Sequence, residues 1–493
     1  MDKLFEPKVA GRLCRTVLIV LCVVLPVLSC QKDPVMHTTL ESIVSDYPGG
    51  EYTISIDSNV PWKVYANYQV GSEKGWIHFD NTEGESGVSQ LVVYVDPSSH
   101  YTREGHVVFE LEKNAIYHSV QVHQQGKLDR EMSDLFSPAF WDYIMKKELI
   151  HQALEQDRGK VWFYNILNVK KLDLSGETFD FMADLAYFEQ LEELSVSGCG
   201  LTEFTTFMPG LKKLNCEHNR LTRLDPELFP SLSKLYCMDN QITEIDPEAW
   251  PSLAILQCPS NPLLTIDVSS TTRLNTLHCY DTPIAELVIG PSIEMLVCGD
   301  SELERVDLSR ATNLYSFNCN ESAVKELDFS NTNVSGIYCS RNPELQTLIL
   351  PKKQQIRDLV ATSNRITGDL TVSSEKIESV LLENNQINRL RFTESAAPEY
   401  VCVANNRIEE LVLPNTSNLY ELDCKNNLLA EVGVLPQRIR WPLLSLTGNP
   451  GKDGVFTVYV YEDVDMYYPQ SYIPASWAWN GSKVVTQVVR VPR

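Results

Sequence analysis

The stretch LKKLNCEHN (residues 211–219) is followed by LSKLYCMDN (232–240) and LAILQCPSN (253–261), and the phrase returns as LYELDCKNN at 419–427. All four share the pattern Leu-x-x-Leu-x-Cys-x-x-Asn. With weaker copies the phrase occurs fourteen times between residues 169 and 450, at a spacing of 19 to 22 residues. A self-similar period of this length is the signature of a solenoid, in which each unit buries its apolar side chains only by stacking on the next.

The spacing and the consensus of these phrases resemble the leucine-rich-repeat family. The resemblance implies about 14 repeats of about 21 residues over residues 169–450, with one short strand per repeat lining a concave face. The leucines and the cysteine alternate along that strand, so they are expected to point into the core together. The Asn slot is expected to form a ladder of amides that satisfy the turn. Thr282, Ser301 and Ser322 replace Asn in the middle repeats, where a looser turn is expected.

Seven consecutive repeats carry a cysteine in the same slot, and an eighth carries Cys424; the seven are Cys216, Cys237, Cys258, Cys279, Cys298, Cys319 and Cys339. No CxxC pair is present, so a zinc site is not expected. Disulfides between neighbouring strands and free buried thiols are both compatible with the spacing, and side chains in register favour the free thiols because the bridge would be strained. Cys402 falls outside the slot and is expected to face outward and to react with alkylating agents.

The N-terminus begins with Lys3, Lys8, Arg12 and Arg15, followed by the apolar run VLIVLCVVLPVL and then Leu28-Ser29-Cys30. The pattern predicts a signal peptide over residues 1–29. Its end resembles a bacterial lipobox, which implies acylation of Cys30; an ordinary signal peptide with a chance cysteine is the alternative. Residues 31–33 (QKD) resemble the surface-export signal of Bacteroidota lipoproteins. These resemblances imply an outer membrane lipoprotein exposed on the cell surface, with membrane contact only through the anchor and a tether over residues 30–47.

Residues 48–126 alternate apolar and polar positions in five short stretches separated by turns, which predicts a β-sandwich. The motifs SNVPWKV (58–64), GWI (75–77), REG (103–105) and VHQQG (122–126) resemble the BACON domain, an immunoglobulin-like module of Bacteroidota surface proteins. That family name implies carbohydrate binding, for which Trp62 and Trp76 are candidate stacking residues. The alternative, which the sandwich pattern favours, is that both tryptophans are core residues.

Residues 127–168 change to a helical pattern with Ser137 and Pro138 at its start, which predicts an N-terminal helical cap for the solenoid. The stretch EQDRGK (155–160) lacks the alternating carboxylates of a calcium loop, so no calcium is expected there. Residues 451–493 are predicted to close the solenoid as a β-cap rich in aromatic residues. The fold class expected overall is therefore mainly β.

The chain has 493 residues and a formal net charge of -23. Such an acidic surface disfavours nucleic-acid binding, which depends on cationic side chains that contact the phosphates. No zinc-protease, serine-hydrolase or phosphate-loop motif is present, so neither an enzyme nor a cofactor is expected.

Residues that flank the inward positions should line the concave face, and many of them are uncharged. Tyr236, Met238, Ile255, His278, Tyr280 and Tyr338 are the candidate protein-binding residues. Aromatic and apolar side chains with few charges are typical of the centre of a protein interface. The sequence therefore predicts a non-catalytic surface lipoprotein that binds a protein partner as adhesin or scaffold. Glycan binding through residues 48–126 or the C-terminal aromatics is the alternative.

Overall fold

The structure is a computed structural model that describes residues 33–69, 73–98, 101–111, 116–128, 130–147, 161–414, 419–435, 443–461 and 486–492. The chain divides into two compact units between Arg130 and Glu131. No helix among these residues is long and apolar enough to cross a membrane.

The first unit consists of two β-sheets that share one apolar core. The four-stranded sheet has the order β1-β3-β7-β5, from β1 (Met36–Thr38), β3 (Gly50–Ser58), β5 (Ile77–Phe79) and β7 (Gly87–Val95). The five-stranded sheet has the order β2-β9-β8-β4-β6, from β2 (Ser42–Ser45), β4 (Trp62–Tyr68), β6 (Glu83–Gly84), β8 (Arg103–Leu111) and β9 (Ile116–Gln124). Alternate residues of both sheets, such as Ile54, Leu91, Val107 and Phe109, are buried in a single cluster, as strand periodicity requires.

The strands of this unit begin earlier than the sequence suggested. Residues 36–45 belong to the predicted tether, yet β1 pairs antiparallel with β3 and β2 pairs parallel with β9. Met36 and Ile43 enter the core, being 8% and 2% exposed. The prediction of a tether to residue 47 was therefore wrong, because such short strands show too little alternation to be recognised.

The second unit begins with a helix that covers the first repeats. Helix α1 (Pro138–Lys146) starts as predicted, with Ser137 as its cap and Pro138 in the first turn. Ser137 also donates from its backbone N–H and its hydroxyl to the buried Asp184 carboxylate, both at 2.7 Å. The short helix α2 (Phe163–Ile166) follows, and Phe136 and Phe140 pack against Phe188 of the solenoid.

The solenoid is built on one parallel sheet of fourteen strands, one for each predicted phrase. In order they are β10 (Lys171–Asp173), β11 (Glu193–Ser195), β12 (Lys213–Asn215), β13 (Lys234–Tyr236), β14 (Ile255–Gln257), β16 (Thr276–His278), β18 (Met295–Val297), β20 (Ser316–Asn318), β22 (Gly336–Tyr338), β24 (Asp358–Val360), β26 (Ser379–Leu381), β28 (Tyr400–Cys402), β30 (Glu421–Asp423) and β32 (Leu443–Ser445). The central residue of each of these fourteen strands is at most 3% exposed. The predicted mainly β solenoid is confirmed.

The opposite side of the solenoid changes character along its length. The early repeats carry 3₁₀ turns, at Asp184–Tyr187, Pro226–Leu228 and Pro247–Ala249. Later repeats carry short parallel strands instead: β15 (Asp267–Val268), β17 (Glu286–Ile289), β19 (Arg305–Asp307), β21 (Glu326–Asp328), β23 (Thr347–Ile349), β25 (Thr367–Val372), β27 (Gln386–Phe392) and β29 (Glu410–Val412). A three-stranded sheet of β31 (Glu431–Leu435), β33 (Phe456–Tyr461) and β34 (Thr486–Val491) stands at the C-terminal end.

The cysteine and asparagine slots form two ladders inside the solenoid. The eight slot cysteines are free and at most 1% exposed, so their predicted burial is confirmed. Each ladder asparagine bonds to its own repeat and to the one before. Asn342, for example, donates to the carbonyls of Cys319 and Cys339 at 2.9 Å and accepts from the Ser322 N–H at 2.8 Å.

The amide ladder is interrupted where the sequence predicted it. The Thr282 hydroxyl donates to a carbonyl of its own repeat at 2.7 Å, and the Ser301 hydroxyl does so at 2.8 Å. The Ser301 hydroxyl also bonds to the Ser322 hydroxyl of the next repeat at 3.1 Å. The turn itself is not looser, because the residue before each ladder slot keeps the same left-handed conformation. Its φ is 54° at Asp281 and 49° at Asp300, against 53° at Asp239 beside a ladder asparagine. The middle repeats have lost the amide bond to the preceding repeat and have kept the turn.

Candidate protein-binding face

The candidate site lies on the side of the fourteen-stranded sheet that points away from the core, named here the open face. Parallel register aligns the last residue of each strand into one row, and the eleven positions between Asp173 and Asp423 carry no formal charge when histidine is neutral. They are Ser195, Asn215, Tyr236, Gln257, His278, Val297, Asn318, Tyr338, Val360, Leu381 and Cys402. At about 4.8 Å between strands, this row is about 48 Å long.

Five adjacent strands of this sheet, β14, β16, β18, β20 and β22, carry no formal charge on the open face. Three positions count for each strand: its first residue, its last residue and the residue two positions after the strand's end. These fifteen residues are named here the neutral belt: Ile255, Gln257, Pro259, Thr276, His278, Tyr280, Met295, Val297, Gly299, Ser316, Asn318, Asn320, Gly336, Tyr338 and Ser340. Lys234 bounds the belt on β13 and Asp358 bounds it on β24. In a chain whose residues are 22% charged, such a belt is a distinctive surface.

The structure distributes the six predicted residues over this face. Ile255, His278, Tyr280 and Tyr338 lie in the neutral belt, whereas Tyr236 and Met238 lie on the flanking repeat. All six are partly buried, with one side of each open to solvent. Tyr338 is five strands from Tyr236, which is about 24 Å, so the six residues form a strip rather than one compact patch.

Several of these side chains already have partners within the protein. The Lys213 ammonium lies 5.4 Å from the centre of the Tyr236 ring, in cation–π range. The Tyr280 hydroxyl reaches over Pro259 to the Met238 sulfur, at 3.8 Å. These contacts hold the aromatic rings in place, which lowers the entropy lost when a partner covers them.

Two further contacts order the far side of the belt. The Tyr338 hydroxyl donates to the Asp358 carboxylate at 3.3 Å. Gly336 lets the Tyr338 ring lie across it, since a Cβ at Gly336 would stand 2.9 Å from that ring.

His278 lies on β16, the second of the five belt strands, at the middle of its three open-face positions. Burial lowers the pKa of its imidazole. Its Nε2 atom is covered and has no hydrogen-bond partner among the described residues. An unsatisfied buried nitrogen costs about 1–3 kcal/mol.

Val360 and Leu381 continue the row beyond Tyr338 and were missed by the sequence analysis. They lie on β24 and β26, in register with Tyr338. Their phrases, IRDLVATSN and IESVLLENN, carry Ala and Leu in place of the slot cysteine. In each phrase the residue directly before the slot belongs to the outward row, so the sequence could have identified both residues.

The prediction for Cys402 was correct in its orientation and wrong in its exposure. The residue does lie in the outward row, but its neighbours leave it only 9% exposed. Burial, with the nearby carboxylates of Glu421 and Glu383, raises its pKa to about 12. A thiol in this state is a poor nucleophile at neutral pH.

The two candidate glycan-stacking residues are core residues, so that assignment is corrected. Trp62 and Trp76 are each 2% exposed. Trp62 packs on Phe109 with ring centres 5.6 Å apart, and a Cβ at Gly84 would stand 2.3 Å from its ring. Neither ring offers a face to a sugar.

Arg103, which belongs to the same sequence motifs, holds Trp76 in place from inside the unit. Its guanidinium lies 4.5 Å from the centre of the Trp76 ring and donates to the Gln124 side chain at 2.8 Å. It also donates to Glu73 at 2.6 Å and to the Asp96 carbonyl at 2.9 Å. The Trp, Arg-x-Gly and Gln-x-Gly motifs are thus one structural network.

Three predictions concern residues outside the described ones. These are the acylated Cys30 with its signal peptide, the calcium-free loop at residues 155–160, and the C-terminal aromatic residues Tyr467, Tyr468, Tyr472, Trp477 and Trp479.

Comparison with solved structures finds distant likenesses. A glycoside hydrolase family 5 xyloglucanase from Bacteroides ovatus, solved with a XXXG heptasaccharide, is 19% identical with a TM-score of 0.16, and the match covers 19% of this chain and 19% of that one. The functional domain of InlJ from Listeria monocytogenes, which includes a cysteine ladder, is 16% identical over 67% of this chain and 82% of that one, with a TM-score of 0.37. The leucine-rich repeat domain of APL1B is 13% identical over 72% of this chain and 99% of that one, with a TM-score of 0.43. With TM-scores this low, no function follows from these three structures.

No curated protein matches this chain. Residues 209–253, by contrast, match the family described as Leucine Rich repeats (2 copies). These residues include β12 and β13 and the start of the phrase that forms β14, and the same phrase recurs on every strand of the sheet. The family match, on a phrase that recurs over the whole sheet, supports a leucine-rich-repeat domain.

Proposed function

We propose that this protein is a non-catalytic lipoprotein of the bacterial cell surface that binds a protein partner through the neutral belt. The observation that carries the proposal is the belt itself. Charged residues are depleted at the centres of protein interfaces, and Tyr and Met are enriched there. The belt has this composition on an otherwise acidic chain, and it presents its residues on a rigid sheet.

The location follows from the N-terminal sequence. A lipid-modified Cys30 would anchor the chain, and the export signal after it would place the chain on the outer face of the outer membrane. The first unit, as an immunoglobulin-like BACON domain, would then act as a spacer. Its buried tryptophans support a structural role rather than sugar stacking.

The belt is tested with variants that change its surface without touching the core. Immobilised wild-type protein captures partners from extracts of its natural surroundings, and the affinity of the captured protein is then measured by surface plasmon resonance. The Tyr236→Ser/Tyr280→Ser double variant and the Asn318→Glu variant should each bind at least about tenfold more weakly, because they remove aromatic contacts or bury a charge.

Matched controls change the opposite side and another exposed surface. Thr347→Glu adds the same charge on β23, and Phe207→Ser removes an aromatic side chain that is 60% exposed. Both controls should bind as the wild type does. Unchanged affinity of the belt variants, with normal melting temperatures, would refute the proposal.

A further inference from the structure

A groove runs along one edge of the open face, next to the neutral belt. It has a volume of about 660 Å³, which lies within the range of ligand-binding pockets. One wall consists of the residues that directly precede five successive strands, β20 to β28: Tyr315, Ser335, Arg357, Glu378 and Glu399. Five strands span about 19 Å, so the groove is elongated and would hold a short chain of units rather than one small molecule.

The groove exists because a small residue interrupts a row of large ones. Ser335 lies between Tyr315 on the preceding repeat and Arg357 on the following one, and both neighbours line the cavity with it. The Tyr315 side chain is 61% exposed although it is aromatic. An open ring at the wall of a polar groove offers a flat apolar contact surface.

The charges of the groove nearly balance. Arg357 and Glu378 form an ion pair at 2.8 Å. Within the described part of the chain, Glu375, Glu399 and Lys376 have no ion-pair partner. A ligand of either charge would therefore meet repulsion as well as attraction.

The hydrogen-bonding groups are equally mixed. Carboxylates accept, the ammonium and guanidinium donate, and the Asn333 and Gln355 amides and the Ser335 hydroxyl can do both. A neutral polyhydroxyl ligand has hydroxyls that both donate and accept, and its sugar rings have apolar C–H faces that fit an aromatic ring.

We propose that this groove binds a neutral oligosaccharide, with one sugar ring stacked on Tyr315. The site is separate from the buried tryptophans of the first unit. None of the neutral-belt residues lines it.

The test uses the full chain and an array of neutral oligosaccharides that includes cellohexaose, xylohexaose, mannohexaose and maltohexaose. The oligosaccharide bound most strongly is then titrated by calorimetry into the wild type and two groove variants. Tyr315→Ala should weaken binding at least tenfold because it removes the stacking face, and Glu399→Gln should weaken it less. Because Tyr315 is exposed, the variant should keep the melting temperature of the wild type.

Tyr420→Ala is the matched control. Tyr420 also directly precedes a strand, β30, and is 50% exposed, but it does not line the groove. This control and the Tyr236→Ser/Tyr280→Ser variant should bind the oligosaccharide as the wild type does. The proposal is overturned if no neutral oligosaccharide on the array binds, or if Tyr315→Ala binds with unchanged affinity.

Discussion

At the scale of single residues, the ladder asparagines attach each repeat to the one before it. Asn342 is fully buried, and its side chain satisfies two carbonyls and one N–H that no water can reach. Each such group costs about 1–3 kcal/mol when it is left unpaired. The stability of the solenoid is therefore concentrated in a few polar side chains as well as in its leucines.

We expect Asn342→Ser to lower the free energy of unfolding by about 2 kcal/mol, because serine keeps the bond to its own repeat and loses the bonds to the repeat before. The reverse change, Ser301→Asn, should raise stability by about 1 kcal/mol. Urea unfolding followed by circular dichroism measures both. Equal stability of Asn342→Ser and the wild type would show that the bonds between repeats contribute nothing.

At the scale of the elements, the first unit depends on the buried guanidinium of Arg103. Its donors link β8 to β9 through Gln124 and to the loop after β7 through the Asp96 carbonyl. Lysine has one nitrogen and lacks this planar fork, so it cannot serve these acceptors together.

Arg103→Lys should destabilise the first unit by about 3 kcal/mol, since buried acceptors lose their donors. Hydrogen exchange of the β8 amides in the full chain reports this unit separately and should become faster. The control Lys63→Arg, at an exposed position of β4, should leave exchange unchanged. If the β8 amides of Arg103→Lys exchange as slowly as those of the wild type, the Arg103 network is not needed for stability.

The elements also show what could be predicted from sequence. A repeated phrase predicts strand register, because every copy must bury the same slots; the fourteen strands, both ladders and the interruption at Thr282 followed from it. The strands at residues 36–45 are too short to show a period. Left-handed residues such as Glu321 and Arg341 were also not predictable, because their types do not favour positive φ.

The candidate site was predictable only in part. The outward row can be derived from the phrase, and it gave Tyr236, His278 and Tyr338. The burial of Cys402 depends on the size of its neighbours in other repeats. The groove at Tyr315 depends in the same way on Ser335 lying between two larger residues. Such differences between repeats are not visible in the consensus.

At the scale of the whole molecule, the proposed anchor makes a prediction about location. Wild-type protein expressed in a bacterium of its own phylum should fractionate with the outer membrane, and its mature N-terminal peptide should carry acyl chains on Cys30. Cys30→Ala should leave the protein without an anchor, because the acyl chains supply the membrane affinity. Mass spectrometry of the N-terminal peptide and protease treatment of intact cells measure both. Acyl-free wild-type protein would contradict the lipoprotein assignment.

The interrupted amide ladder has a mechanical consequence. A surface protein that holds a partner is pulled between its anchor and its binding face, and a solenoid transmits that tension from repeat to repeat. Thr282 and Ser301 lack the side-chain bond to the preceding repeat that Asn240 and Asn342 make. The junctions that lack this bond lie inside the neutral belt, so if the belt binds a partner as proposed, the solenoid should yield there first under tension and release the partner.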